Sequence, residues 1–153
     1  LTYSGAVDKP EVALEQPAGT SLDDGSTRDF GSTLVTGTSS LTFTLKNTGN
    51  AALNGISLTK DGSNAADFTV SSLPTSIAAQ SSVTFTVDFT PSATGARTAA
   101  IHIASSDLDE NPFTIALTGT ANAPEIDVEQ PAGSALVDGV STVDFGPVLV
   151  GSM

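Results

Sequence analysis

The residues best placed to do chemistry are carboxylates. Asp107, Asp109 and Asn111 fall at alternate positions of the run SSDLDENPF, the spacing that opens a calcium loop, where several hard oxygens must converge on one ion. Pro112 stands where such a loop needs Gly, and Thr118 holds the twelfth position in place of a bidentate Glu. The run therefore reads first as a tight turn whose Asp and Asn side chains cap their own backbone, with Ca²⁺ as the alternative ligand. Asp23, Asp24, Asp138 and Asp144 repeat the idea more weakly and read as solvated turns.

Other catalytic constellations are missing from the sequence. His102 is the single histidine, between Ile101 and Ile103, and no cysteine exists to complete a zinc site with it. Serines are plentiful, but no Gly-x-Ser-x-Gly elbow occurs. Asp109 and Glu110 are neighbours on one turn, whereas glycosidase carboxylates face each other across a groove. Lys46 and Arg97 are too isolated for a phosphate or nucleic-acid surface. The chain reads as non-enzymatic, with no catalytic and no cofactor-binding residues.

Composition narrows the class further. Five Lys and Arg against 17 Asp and Glu give a net charge of −12, which repels nucleic acid and anionic membrane. No apolar run reaches the length of a membrane span, so no membrane insertion is expected within these residues. Hydrophobic residues at 39%, few aromatics, 14 Gly and 8 Pro describe a β-rich folded domain.

The elements that would position these groups are short alternating strands. Leu41, Phe43 and Leu45 share one face of a strand over 39–47, and Val83, Phe85, Val87 and Phe89 share one face over 82–90. Ala99, Ile101 and Ile103, then Phe113, Ile115 and Leu117, mark two more inward faces. Val12 and Leu14 belong to a first strand stopped by Pro17-Ala18-Gly19, and Phe30 returns the chain to the core. A strand is also predicted over about 53–59, with a bulge or twist at Gly55. About seven to eight strands without a helical period predict an all-β fold, an antiparallel immunoglobulin-like β-sandwich.

The first strands are written twice. PEVALEQPAGTSLDDG at 10–25 returns as PEIDVEQPAGSALVDG at 124–139, identical at 10 of 16 positions, and Asp-Phe-Gly follows each, displaced by the extra Val140 in the second copy. A period of 114 residues is domain-sized, too long for a solenoid unit. The chain is thus part of a tandem array: residues 1–8 end a preceding repeat or linker, 9–122 form one sandwich, and 123–153 open a second, truncated repeat.

The motif series P-E-x-x-V/L, D-F-G, L-x-F-x-L-x-N-T-G, D-F-T-V, V-x-F-x-V-x-F-x-P, G-A-R-T-A-x-I-x-I, S-S-D-x-D-E-N-P-F and L-T-G-T-A resembles the choice-of-anchor D repeat of bacterial surface proteins. That repeat is similar to the major-sperm-protein-like domains of the ASPM, SPD-2 and Hydin group. The resemblance implies a secreted or cell-surface structural module, a stalk, adhesin or filament subunit. Its expected partners are neighbouring repeats or copies of itself, head to tail, with the truncated repeat completed by strand pairing. A carbohydrate- or Ca²⁺-binding accessory domain is the alternative, weakened for carbohydrate because most of the seven Phe fall on inward phases.

Overall fold

The structure, a computed structural model, describes residues 7–147 and 151. Of residues 1–8, the expected end of a preceding repeat or linker, the first six lie outside the described residues. The chain divides into two units, Leu1–Ala123 and Pro124–Met153.

The first unit is all-β, a sandwich of eleven strands: β1 Val12–Glu15, β2 Ser21–Leu22, β3 Thr27–Leu34, β4 Ser39–Asn47, β5 Leu53–Asn54, β6 Ser57–Asp61, β7 Phe68–Val70, β8 Ser76–Ile77, β9 Ser81–Phe89, β10 Gly95–Ala104 and β11 Phe113–Asn122. One sheet has the order β2-β1-β4-β9-β7 and the facing sheet β3-β11-β10-β6, while β5 and β8 form a small separate pair. Beyond the predicted strands stand the two-residue β2 and β8 and the eight-residue β3, where the sequence placed only the returning Phe30. The period-two apolar positions of β4, β9, β10 and β11 point inward as their alternation demands, and Phe43, Phe85, Val87, Phe89, Ile101, Ile103, Ile115 and Leu117 are all buried.

Two features depart from a plain antiparallel sandwich. β3 runs parallel to β11, because the turn at 23–26 reverses the chain just before β3 and starts it in the direction of β11. That turn is held to the second sheet, where Gly25 N–H donates to the Thr114 carbonyl at 2.8 Å and Thr114 N–H donates to Asp24 Oδ1 at 2.6 Å. The second feature is at Gly55. Its φ of +65°, costly for a residue with a Cβ, breaks the predicted strand in two and sends β5 to pair with β8 while β6 joins β10.

Aromatic rings fill the space between the sheets. Phe68 stacks on Phe89 with centroids 4.8 Å apart, and Phe30 of the opposite sheet meets both, at 5.5 and 5.9 Å. Gly119 makes this possible. A Cβ there would lie 2.4 Å from the Phe89 ring, and the β3–β11 register slips at the same residue. The glycine of the L-T-G-T-A motif is therefore a packing requirement. Gly119→Ala should lower stability by about 1–3 kcal/mol in urea unfolding; a change below about 0.5 kcal/mol would show that the ring has room to move.

Candidate functional site

The chain enters the first unit at one pole and leaves it at the other. The start of β1, the end of β4, the start of β9 and the 105–112 loop meet at the N-terminal pole. The end of β11 lies at the C-terminal pole, where Val35 N–H donates to the Asn122 carbonyl at 2.9 Å and Thr36 N–H to the Pro91 carbonyl at 3.0 Å.

The N-terminal pole is built around the turn Asn47-Thr48-Gly49-Asn50. Asn47 ends the inward face of β4, where its side chain is 1% exposed, and all of its hydrogen-bonding groups are used. Its Oδ1 accepts from Glu11 N–H at 3.2 Å and Gly49 N–H at 3.1 Å, while its Nδ2 donates to the Ala51 carbonyl at 2.7 Å and the Ile77 carbonyl at 3.1 Å. Thr48 N–H donates to the Glu11 carbonyl at 2.8 Å and Asn50 N–H to the Lys9 carbonyl at 3.1 Å. The Asn50 side chain returns the contact, its Oδ1 accepting from Lys9 N–H at 2.9 Å and its Nδ2 donating to Asp8 Oδ1 at 2.7 Å. A Cβ on Gly49 would lie 2.3 Å from the Lys9 carbonyl oxygen and 2.6 Å from Glu11 N, so the incoming backbone crosses directly over the glycine. The turn is a clamp on residues 8–11, the stretch through which the module is joined to whatever precedes it.

The predicted metal residues complete the clamp. Asp107 is buried, and its Oδ2 accepts from Val12 N–H at 2.7 Å. Asn111 Oδ1 accepts from Ser105 N–H at 3.2 Å, within its own loop. Asp109 is exposed and lies 3.6 Å from Lys9 Nζ. The structure brings Asp107 and Asp109 together with Glu11, which the sequence did not single out, and their carboxylate oxygens lie within 4.8 Å of one another. Lys9 Nζ, 2.6 Å from Glu11 Oε2, supplies positive charge to the same group.

The electrostatics follow from that crowding. The Glu11 hydrogen bond first, and then the Asp109 charge, push the Lys9 ammonium above its usual value. A hydrogen bond with the Asp107 carboxyl, its own backbone amide and the Lys9 charge hold Asp109 below the usual carboxylate range. Glu110 is raised, by burial first and then by the Asp107, Glu11, Asp109 and Asp24 charges. A hollow of about 380 Å³ opens beside this group, with Val7, Pro10 and Leu108 among its walls.

The remaining candidates are tied up elsewhere. His102 Nδ1 lies 3.0 Å from Thr114 Oγ1 and its Nε2 lies 3.3 Å from Asp61 Oδ2. The order hydroxyl, imidazole, carboxylate resembles a triad, but the three groups lie in line across the outer face of β11, β10 and β6 rather than around a cleft. Arg97 Nε donates to the Ala93 carbonyl at 2.8 Å and approaches the buried Asp67 at 3.5 Å. Lys46 meets Glu15 at 2.5 Å, Lys60 donates to the Phe68 carbonyl, and Arg28 donates to the Gln16 carbonyl at 2.8 Å. With Lys9, that accounts for all five cationic side chains.

Two tests follow from the clamp. Asn47→Ala orphans four backbone groups and should cost roughly 3 kcal/mol, with faster amide exchange at Glu11 and Gly49; a loss under about 0.5 kcal/mol would sink the clamp. Gly49→Ala should produce the same local loosening. For Glu110 the sign is fixed by its raised value. Its charge is disfavoured in the folded state and so opposes folding at neutral pH, and that cost disappears below the unfolded-state value of 4.5, where both states are protonated. Glu110→Gln should therefore raise the urea midpoint at pH 7 and lose that gain as the pH falls below 4.5; a lowered midpoint at pH 7 would contradict the assignment.

Comparison with known proteins sets this geometry in a family. The unit is similar to PapD-like domain 7 of human CEP192, with 14% identity, a TM-score of 0.58, and coverage of 82% of this chain and 99% of that one. It is similar to a Porphyromonas gingivalis W83 protein of unknown function (15% identity, TM-score 0.53, 73% and 66% covered) and to the Vibrio cholerae VesB protease (20% identity, TM-score 0.51, 63% and 31% covered). The chain thus spans less than a third of VesB. Among curated proteins, none matches in sequence. These likenesses show an immunoglobulin-like, PapD-like sandwich. Residues 24–111 match the family described as abnormal spindle-like microcephaly-associated, ASPM-SPD-2-Hydin; the chain belongs to the ASH family.

Proposed function

We propose that this chain is a non-enzymatic structural module of an extracellular or cell-surface repeat protein, a spacer joined end to end with its neighbours. One observation carries the reading: the incoming backbone is clamped at one pole and the outgoing strand leaves at the other. A domain built to hang from a chain as an accessory can have its termini side by side, whereas a rigid in-line link needs them at opposite ends and needs at least one of them immobilised. Here residues 8–11 are fixed by six hydrogen bonds to the 47–50 turn, and the adjoining Val12 N–H is held by Asp107.

The motif series supports a choice-of-anchor D repeat within the ASH family, and with it a bacterial surface stalk, adhesin or filament subunit. The acidic surface, with every cation engaged internally, suits a spacer and offers nothing to nucleic acid. The test is dimensional. The ten residues of β11 span about 33 Å at strand rise, so a two-module tandem should exceed a single module in maximum dimension by about 35–40 Å in small-angle X-ray scattering. A side-by-side particle of nearly unchanged length would overturn the reading.

A further inference from the structure

The second unit repeats the local geometry of residues 10–31. Glu15 Oε2 accepts from Gly19 N–H at 2.8 Å, and Glu129 Oε2 from Gly133 N–H at 2.6 Å. Gln16 N–H donates to the Thr20 carbonyl at 3.0 Å, and Gln130 N–H to the Ser134 carbonyl at 3.0 Å. The Glu15–Ser21 pairing returns as an isolated bridge between Glu129 and Ala135. Gly31 N–H donates to Asp29 Oδ1 at 3.0 Å and Gly146 N–H to Asp144 Oδ1 at 2.8 Å. Even the φ angles correspond: 86°, 78° and 72° at Gly19, Gly25 and Gly31, against 87°, 68° and 69° at Gly133, Gly139 and Gly146.

What differs is burial. Val12, Leu14 and Phe30 are 3%, 0% and 5% exposed, whereas their counterparts Ile126, Val128 and Phe145 are 84%, 52% and 86% exposed. The concave side of the second unit holds a hollow of about 650 Å³ bordered by Ile126, Val128 and Leu136. The charge is one-sided too: Glu125, Asp127, Glu129, Asp138 and Asp144 have no Lys or Arg among residues 124–153.

The first unit shows what covers such an edge. β4 lays Leu45 opposite Leu14 and Lys46 opposite Ala13, and Lys46 pairs with Glu15. β11 takes the second turn through Thr114, and Phe68 and Phe89 receive Phe30. By correspondence, Lys46 of such a body would lie between Asp127 and Glu129, Leu45 against Val128, and the Phe68–Phe89 pair against Phe145.

We propose that residues 124–146 are a preformed docking edge whose partner is a sandwich body with the sequence pattern of 32–122 and with the stretch corresponding to 10–31 missing. The edge needs no rearrangement to dock, since its turns are already set, and it brings the acidic half of a charge pair whose basic half the body holds. An intact copy of this chain does not satisfy it, because there residues 10–31 already fill the place; exchanging one edge for the other would expose as much apolar surface as it buries. The proposal rests on the end-to-end reading for its setting only.

The experiment places the 32–122 sequence after Gly146 of the full chain and reads amide hydrogen exchange. Val128 and Leu136 should gain at least about a thousandfold in protection. Val128→Asp and Phe145→Asp should each abolish that gain while leaving the first module's protection intact. In a matched chain, residues 10–31 replace 124–146 and set the protection of a complete second module. If the matched chain is protected and the first is not, the proposal fails, even where scattering shows an extended particle. Dimerisation of the unextended chain with loss of protection at Val12 and Leu14 would overturn it in favour of strand exchange between intact copies.

Discussion

The structure depends on one buried amide. Asn47 closes the hydrophobic stripe of β4 with a side chain that has no water to turn to, and an unpaired amide there would be costly. It is satisfied only if the 47–51 turn, the start of β1 and the end of β8 all meet it at once. Among the described residues, no other polar side chain bonds to three separate segments in this way. Because the bonds are made to backbone atoms, they fix where the chain passes rather than which side chains it carries. Gly49 and Asp107 then hold the position already chosen: one by leaving room for the crossing, the other by receiving the Val12 amide.

The core can be read from period two alone. Every residue placed inward on β9, β10 and β11 is wholly or mostly withdrawn from solvent, and Phe30, isolated among turn residues, is the one ring that crosses between sheets. Alternation succeeds because each strand packs one face on the opposite sheet, so the pattern carries all the information needed. It gives no sign of the switch at Gly55 beyond an Asn-Gly pair that fits a bulge, a hairpin or a change of sheet equally well. The parallel partnership of β3 and β11 is likewise invisible, since direction is set by turns far apart in sequence.

The site was legible only in its parts. Asp107 and Asn111 stood out for their spacing, and the oxygen-rich pattern that points to calcium is the same one that lets carboxylates and amides receive backbone N–H groups. Asp107 spends its oxygen on a residue 95 positions away, a distance no local spacing can encode. Glu11 reaches the cluster only because β1 starts there. The run N-T-G-N has the composition of any polar turn, yet it carries both the amide that binds the incoming strand and the bare backbone that lets it pass. The period of 114 residues marks the second copy in the sequence, and the turn geometry of the first copy recurs there through local hydrogen bonds.

The internal use of every cation bears on how such chains would crowd. Lys9, Arg28, Lys46, Lys60 and Arg97 are each engaged within their own module and are outnumbered by 17 carboxylates to five, while the margins of the first sheet, β2 and β7, are only two and three residues long, against eight and five for β3 and β6 in the second. Two copies brought alongside one another would therefore repel within a Debye length of about 8 Å at physiological salt, and the first sheet offers neither of them a long free strand to pair with. Under the end-to-end arrangement proposed above, this repulsion opposes lateral contact between neighbouring chains, and the spacing of a dense layer of them would widen as salt is withdrawn.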